Sequence, residues 1–391
     1  MLRKNKKLKG EDVHVTLPCE LEEEILSRLP PLSLARFRSV CKQWNALCNE
    51  NRFINNHFAL ARPQFIFITN SNIYSIEIIG LDGVDPTIKL RELPSSRTAY
   101  RELNLDYITI TTCDGLLFCN YSDYPKVTAL WNPWLKQVKW IECNDKYFDV
   151  SGVGYDNTRP EKVYKILGSF ISSCKVEKVA IYECASHAFK SIDSFNEQCP
   201  LSQVKRFSVS LNGNLYWRTR IPHTLDFYIR SFDFSRDIFK HFCLLPCREN
   251  HFRDQLVLGV YKGDRLSLLK QCYVTRSVEI WVTKKKIDSN NNGTDEVVWI
   301  KLLTLPTSNL PNLYNKCYGI SYFIYDKTTL IMCCGEDDGG TAFIYIVRRD
   351  LFKKIPIDSG VFRCCHCLYA PNFIPVPLDS DCKSNNFITF S

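Results

Sequence analysis

The sequence predicts a multidomain α+β chain: a small all-α unit at the N-terminus, then a much larger all-β unit built as a β-propeller. Three observations carry this. Residues 16–58 place apolar side chains at the helical period. Beyond residue 62 the apolar segments become short, β-branched and aromatic. Five of those segments carry a marker aromatic at nearly constant spacing.

The first helix is read from TLPCELEEEILSRLPP. Leu17, Leu21, Ile25, Leu26 and Leu29 fall on one face of a 3.6-residue helix. Pro18 sits in the first turn, where its missing N–H is harmless. Glu20, Glu22, Glu23 and Glu24 crowd the N-terminal end, which the helix dipole favours. Pro30-Pro31 ends the helix, because the residue before a proline is pushed out of the α region. Ser33 is placed to cap a second helix with Leu34, Phe37, Cys41, Trp44 and Cys48 as one apolar stripe, and Phe53, Ile54 and Phe58 mark a short third helix. So small a helical unit is near the lower limit for a lone domain, and it shows more apolar surface than its own core can hide. It must dock, either as a cap on the rest of this chain or onto a separate partner.

Strands follow. Phe65–Thr69, Tyr74–Ile79, Leu116–Cys119, Val127–Trp131, Val163–Leu167, Val179–Tyr182 and Phe207–Leu211 are short and separated by Asp, Asn, Gly and Pro. A strand with an aromatic near its end, a polar turn and another strand recurs in ALWNPWLKQVKWI, IYECASHAFKSI, SFDFSRDIFKHFCLLP, EIWVTKKKI…VVWIKLLTLP and FIYIVRRDLFKKIPI. The marker aromatics Trp131, Tyr182, Phe232, Trp281 and Tyr345 stand 51, 50, 49 and 64 residues apart. Steps of about fifty fit the four-stranded blade of a kelch-like propeller rather than a sandwich or barrel. CDGLLFC, VGYDNTRPEKVYKIL and LNGNLYW each read as turn, strand, turn. The longer last step implies an insertion, and SNNNGTD (Ser289–Asp295) reads as a flexible hairpin loop.

Composition excludes several functions. Of 391 residues, 45% are hydrophobic and 13% aromatic, ample for a large core, yet no stretch approaches the ~20 apolar residues of a membrane span. The opening MLRKNKKLKG lacks the apolar run of a signal peptide and reads as a solvated basic tail or a weak nuclear signal, so nucleus or cytoplasm is expected. The net charge of +8 is spread out: 11 Lys and Arg against 7 Asp and Glu in residues 1–62, 39 against 35 in the remainder. A nucleic-acid footprint would be a dense basic face, so no nucleic-acid partner is expected. Nineteen cysteines without regular spacing fit a reducing compartment, where Cys113, Cys119, Cys143, Cys184, Cys272 and Cys333 act as small buried hydrophobes and the sequons at Asn120 and Asn292 go unused. Cys364-Cys365-His366-Cys367 offers one CxxC spacing, with Cys333-Cys334 upstream but no second pair at zinc-site distance. A strand end with buried thiols is expected, and no metal or cofactor.

The letters of the helical unit say more than its period. LPxELxxEILxRLPxxSLxRFRxVCKxWNxL, from Leu17 to Leu47, closely resembles the F-box, without a gap. The resemblance implies docking onto the Skp-type adaptor of a cullin–RING ubiquitin ligase. On the matching positions, Leu17, Pro18, Leu21, Ile25, Leu26, Leu29 and Pro30 form the adaptor-contacting edge, and Val40 and Trp44 hold or extend it. VSGVGYDNTRPEKVYKI, VSLNGNLYW, SFDFSRDIFKHFCLLP and EIWVTKKK are similar to the kelch-like F-box-associated (type 1) domain of a large plant family, in its order. The implied layout is a basic tail (1–12), an F-box (13–60), a propeller (63–377) and a C-terminal tail (378–391).

No GxSxG elbow, Walker loop, GxGxxG after a strand, HExxH or singled-out thioester cysteine is present, and the seven histidines are scattered. The expectation is a non-catalytic receptor of an SCF-type ligase, the propeller holding a target protein. Two alternatives stand beside it: a propeller enzyme or small-ligand binder with a structural helical cap, and an adaptor-binding protein without a degradation target. Ser95–Tyr100, His223–Phe227, Cys247–Asp254 and Ser308–Asn315 read as rim loops, where recognition side chains would sit.

Overall fold

The structure is a computed structural model. It describes residues 17–376 apart from 70–71, 94–107, 122–126, 143–147, 160–161, 172–176, 193–200, 202–203, 205–207, 222–223, 225, 248–250, 252, 288–296, 306–309, 315–318, 336–340 and 358–364. Both expected tails, the Ser95–Tyr100 loop, the Ser289–Asp295 hairpin, Cys143 and Cys364 lie outside the described residues.

Four helices open the chain: α1 (Cys19–Ser27), α2 (Pro31–Phe37), α3 (Lys42–Leu47) and α4 (Asn51–Leu60). The single long second helix expected from the Leu34-to-Cys48 stripe is two helices. Pro30 is the N-cap and Pro31 the first helical residue, so Ser33 lies inside α2 and caps nothing. After Phe37 the backbone tightens: Ser39 N and Val40 N donate to the carbonyls of Arg36 and Phe37, and the Ser39 hydroxyl also donates to Arg36 O at 2.6 Å. Cys41 then turns extended (φ −150°) and restarts the chain as the N-cap of α3, its Sγ accepting from Trp44 N at 3.4 Å.

The rest is a closed ring of six four-stranded antiparallel blades. The second blade runs β4 (Ile108–Cys113), β5 (Leu116–Tyr121), β6 (Val127–Asn132) and β7 (Gln137–Glu142). The third is β8 (Phe148–Asp156), β9 (Val163–Ile171), β10 (Glu177–Glu183) and β11 (Ala188–Ser191). The fourth is β12 (Ser208–Leu211), β13 (Asn214–Arg220), β14 (Phe227–Asp233) and β15 (Ile238–Leu244). The fifth is β16 (Gln255–Tyr261), β17 (Arg265–Gln271), β18 (Val278–Thr283) and β19 (Trp299–Leu305). The sixth is β20 (Ile320–Ile324), β21 (Leu330–Gly335), β22 (Ala342–Arg348) and β23 (Leu351–Ile357). The first blade is composite. β1 (Gln64–Ile68), β2 (Ile73–Ile79) and β3 (Thr87–Glu92) come from its N-terminal side, and β24 (Cys365–Tyr369) from the far end pairs with β1 as innermost strand, closing the ring.

Each marker aromatic sits in the third strand of a blade: Trp131 in β6, Tyr182 in β10, Phe232 in β14, Trp281 in β18 and Tyr345 in β22. The polar turns after them share one geometry in the second, third and fourth blades. Four residues link each pair of strands, the last left-handed at Lys136, His187 and Asp237. Asn132 Oδ1 accepts from Trp134 N and Leu135 N, and Asp233 Oδ1 from Ser235 N and Arg236 N, which is why a short polar residue opens the repeat. The Asp114-Gly115 and Asn212-Gly213 pairs are left-handed at both positions (φ 40° and 89°, 51° and 77°), as a two-residue hairpin turn requires.

Cys113, Cys119, Cys184, Cys333, Cys334 and Cys367 are buried, Cys333-Cys334 inside β21 and Cys365 and Cys367 in β24. Cys272 departs from expectation. It lies half-buried in the β17–β18 turn, outside the core, because strand β17 ends at Gln271.

Candidate functional site

The helical unit has two faces. Leu26 is 2% exposed and Leu34, Cys48, Phe53 and Ile54 are buried with it, in one cluster with Cys113, Leu116, Phe118 and Leu130 of the second blade and Phe373, Ile374 and Val376 beyond β24. The unit is therefore packed on the propeller. Its other face is not covered: Leu17, Leu21 and Ile25 are 50%, 46% and 53% exposed, and Val40, in the turn between α2 and α3, is 61% exposed.

The five α1-region leucines and isoleucine expected on one face are thus divided. Leu17, Leu21 and Ile25, four apart, form the outward stripe, whereas Leu26 points into the core and Leu29 is half-buried against it. Pro18 and Pro30 are exposed, each the N-cap of the helix it precedes. Trp44 is half-buried. Its ring meets Phe37 edge-on at 5.7 Å and its Nε1 donates to Glu22 Oε2 at 3.1 Å, so it braces α3 against α1. Arg52 forks onto Glu23 with two 2.6 Å bonds, tying α4 to α1, and Glu23 favours the charged form of Arg52.

The seam beneath is built by residues that the sequence did not single out. His57 of α4 is 2% exposed, donates from Nε2 to Leu29 O at 2.9 Å, and meets the Phe373 ring edge-on at 5.2 Å. Burial lowers its affinity for a proton, against the opposing pull of the Leu29 carbonyl. The 370–376 segment is held by Asn372, whose Nδ2 reaches Gly115 O at 2.6 Å and Ala370 O at 2.7 Å while its Oδ1 accepts from Ile374 N at 2.8 Å. No local pattern marks these contacts, since their partners lie up to 257 residues away.

The topology places this seam on one side of the ring. The helices meet Cys113, Leu116 and Leu130 at the end where the first strand of a blade turns into the second and the third into the fourth. The β17–β18 turn, which links the second strand of the fifth blade to the third, therefore opens on the opposite side. Among the described residues no cluster of three His, Cys, Asp or Glu side chains is placed to hold a metal ion, and no helix is long and apolar enough to cross a membrane.

A helical unit with an uncovered apolar stripe, fixed to one side of a closed six-bladed propeller, defines a docking module joined to a recognition scaffold. Comparison with known families agrees in both halves. The F-box domain matches residues 16–56 and the F-box associated beta propeller domain matches residues 64–376. Among curated relatives from Arabidopsis thaliana, a putative F-box/LRR-repeat protein is 61% identical, and Protein SUPPRESSOR OF NIM1 1 is 53% identical. Each alignment covers 93% of this chain and 99% of the relative. A further Arabidopsis F-box protein is 52% identical over 94% of this chain and 98% of its own length. The chain belongs to the family of F-box proteins that carry an F-box-associated β-propeller.

Proposed function

We propose that this protein is the substrate receptor of an SCF-type ubiquitin ligase. Its F-box (13–60) docks the Skp-type adaptor and its propeller (63–377) holds a target protein. The observation that carries the reading is the Leu17–Leu21–Ile25 stripe. Three large apolar side chains about half exposed at four-residue intervals, on a helix whose opposite side is buried, are what a helix presents to a partner. Pro18 and Pro30 frame the stripe, Val40 extends it, and Trp44 with Leu29 and Leu26 sets its height from within.

In this reading the chain performs no bond chemistry. The adaptor and cullin bring a charged ubiquitin-conjugating enzyme near the target, and effective concentration supplies the rate. The nucleus or cytoplasm is the expected place of action. The test is a pull-down with purified Skp-type adaptor, comparing wild type with a Leu17→Ala/Pro18→Ala variant. Capture of wild type and at least tenfold weaker capture of the variant supports the reading. A folded wild type that ignores the adaptor ends it and leaves the helices as a structural cap.

A further inference from the structure

On the side of the ring turned away from the helices, the fifth blade carries a cluster that adaptor docking leaves unused. Tyr273, in the turn between β17 and β18, is its centre. The Arg253 guanidinium lies 5.1 Å from the Tyr273 ring centroid and donates to its hydroxyl at 2.8 Å, and the Arg276 guanidinium lies 5.4 Å from the same ring. The His251 ring is parallel to Tyr273 within 8° at 5.5 Å, and Tyr314, ahead of β20, meets Tyr273 edge-on at 5.8 Å. His251 and Arg253, from the expected rim loop Cys247–Asp254, and Tyr314, from the expected rim loop Ser308–Asn315, thus meet at one turn.

The cluster is built, and among the described residues it sets two arginines against one carboxylate. Its carboxylate, Asp254, is 3% exposed and turned inward: it accepts from Tyr273 N at 2.9 Å and His251 N at 3.0 Å, with Lys270 Nζ at 3.4 Å. Arg276 has no carboxylate partner among the described residues, and its Nη1 is buried without an acceptor. Burial and, less, the Asp254 carboxylate raise the Cys272 thiol, but the Thr275 hydroxyl and the N–H groups of Thr275 and Val274 outweigh them and bring the thiol below its ordinary range. Val274 at the tip is 74% exposed, so an apolar side chain stands beside the arginines.

Stacked guanidinium groups beside tyrosines suit a carboxylate flanked by apolar residues, because the fork donates in its plane while the rings offer their faces. We infer that the Arg253–Tyr273–Arg276 cluster is the target-binding site of the propeller and takes an acidic peptide segment. This names the class of target for the receptor role proposed above and rests on it.

The test selects peptides from a random phage-displayed library on the full-length protein, with adaptor binding measured on the same preparation. The expected result is a pool at least about twofold richer in Asp and Glu than the input. Selected peptides should bind roughly tenfold more weakly at 200 mM than at 50 mM salt, as interaction between charges requires. Arg276→Gln and the Arg253→Gln/Arg276→Gln pair should lose the enrichment while keeping adaptor binding and melting temperature. A pool without acidic enrichment from adaptor-competent protein overturns the site, as does enrichment that survives the double substitution. Acidic enrichment without adaptor binding would instead overturn the ligase reading and leave the site standing.

Discussion

Asn132 and Asn372, 240 residues apart and both fully buried, share a network that locks the 370–376 segment to the second blade: Asn132 Nδ2 donates to Asn372 O at 3.2 Å and Ile374 O at 2.8 Å. Asn372 in turn satisfies Gly115 O, Ala370 O and Ile374 N. Replacing it by Ala strands several buried polar groups, each worth about 1–3 kcal/mol. Asn372→Ala should therefore destabilise by about 3–5 kcal/mol in urea unfolding with an unchanged slope. A loss under 1 kcal/mol would show that the network adds nothing beyond ring closure by β24.

Phe373 serves the same segment from its other side. It is 3% exposed and packs on His57, so Phe373→Ala should remove about 3–5 kcal/mol. The loss has an address. Amide exchange should accelerate in α4 and β5, while the β16–β19 blade, remote from the seam, should keep its protection. Uniform acceleration would mean that the helices and the ring unfold as one unit.

Two buried histidines give the protein a direction of pH dependence. Complete burial pushes His366 on β24 down to about 4, and burial also lowers His57. Between the ordinary value of 6.5 and these lowered values the unfolded chain takes up protons that the native chain excludes. Stability is therefore full above pH 6.5 and falls as pH drops, levelling off for His366 below about 4. His366 alone accounts for about 3 kcal/mol. Urea midpoints should decline from pH 8 to pH 5, and His366→Asn should flatten the curve; a wild-type midpoint that holds constant would contradict the burial.

The third and fourth blades are joined by charge. Lys165 Nζ lies 2.7 Å from Asp237 Oδ1, both side chains 8% exposed, and also donates to Phe234 O at 2.8 Å. Asp237→Ala would leave the buried Lys165 with the Phe234 carbonyl and, as its remaining carboxylate, Glu183 at 3.9 Å, and should cost about 3 kcal/mol, the low end for a broken buried pair. Asp237→Asn keeps the left-handed turn residue and removes only the charge. An Asp237→Asn variant that melts with wild type while Asp237→Ala melts early would place the effect in the backbone turn rather than the ion pair.

Where the chain repeats itself, its sequence was readable. The aromatics Trp131, Tyr182, Phe232, Trp281 and Tyr345 mark five third strands, four of them buried in the core and Trp281 half-buried against it. The first blade escaped this reading: its third strand β2 (IYSIEII) places isoleucines where the others place the marker, and its innermost strand comes from the other end of the chain. The helical stripe from Leu34 to Cys48 kept its period across a break made by Ser39 and Cys41, which periodicity does not register. Tyr273, Arg253 and Tyr314 meet only through the ring, from positions 20 and 41 residues either side of Tyr273, so no local pattern could group them.

The division of α1 gives the sharpest separation of docking from folding, since Ile25 and Leu26 are neighbours in sequence and opposites in space. Ile25 is 53% exposed and Leu26 is 2% exposed. Ile25→Asp puts a charge on the outward stripe, where water solvates it, so the melting temperature should move by less than about 2 °C, a surface-sized effect. At the adaptor interface the same carboxylate would be desolvated without a partner, and affinity should fall by about a hundredfold or more. Leu26→Ala empties a core position and should destabilise by about 2–5 kcal/mol, yet at a temperature where the variant stays folded it should bind the adaptor within a fewfold of wild type. Calorimetric titration of adaptor into each variant, beside its melting curve, reads both effects. If Ile25→Asp melts early, or Leu26→Ala loses binding while folded, the outward stripe is not the docking surface and the adaptor edge must be sought on α2 and α3, around Val40.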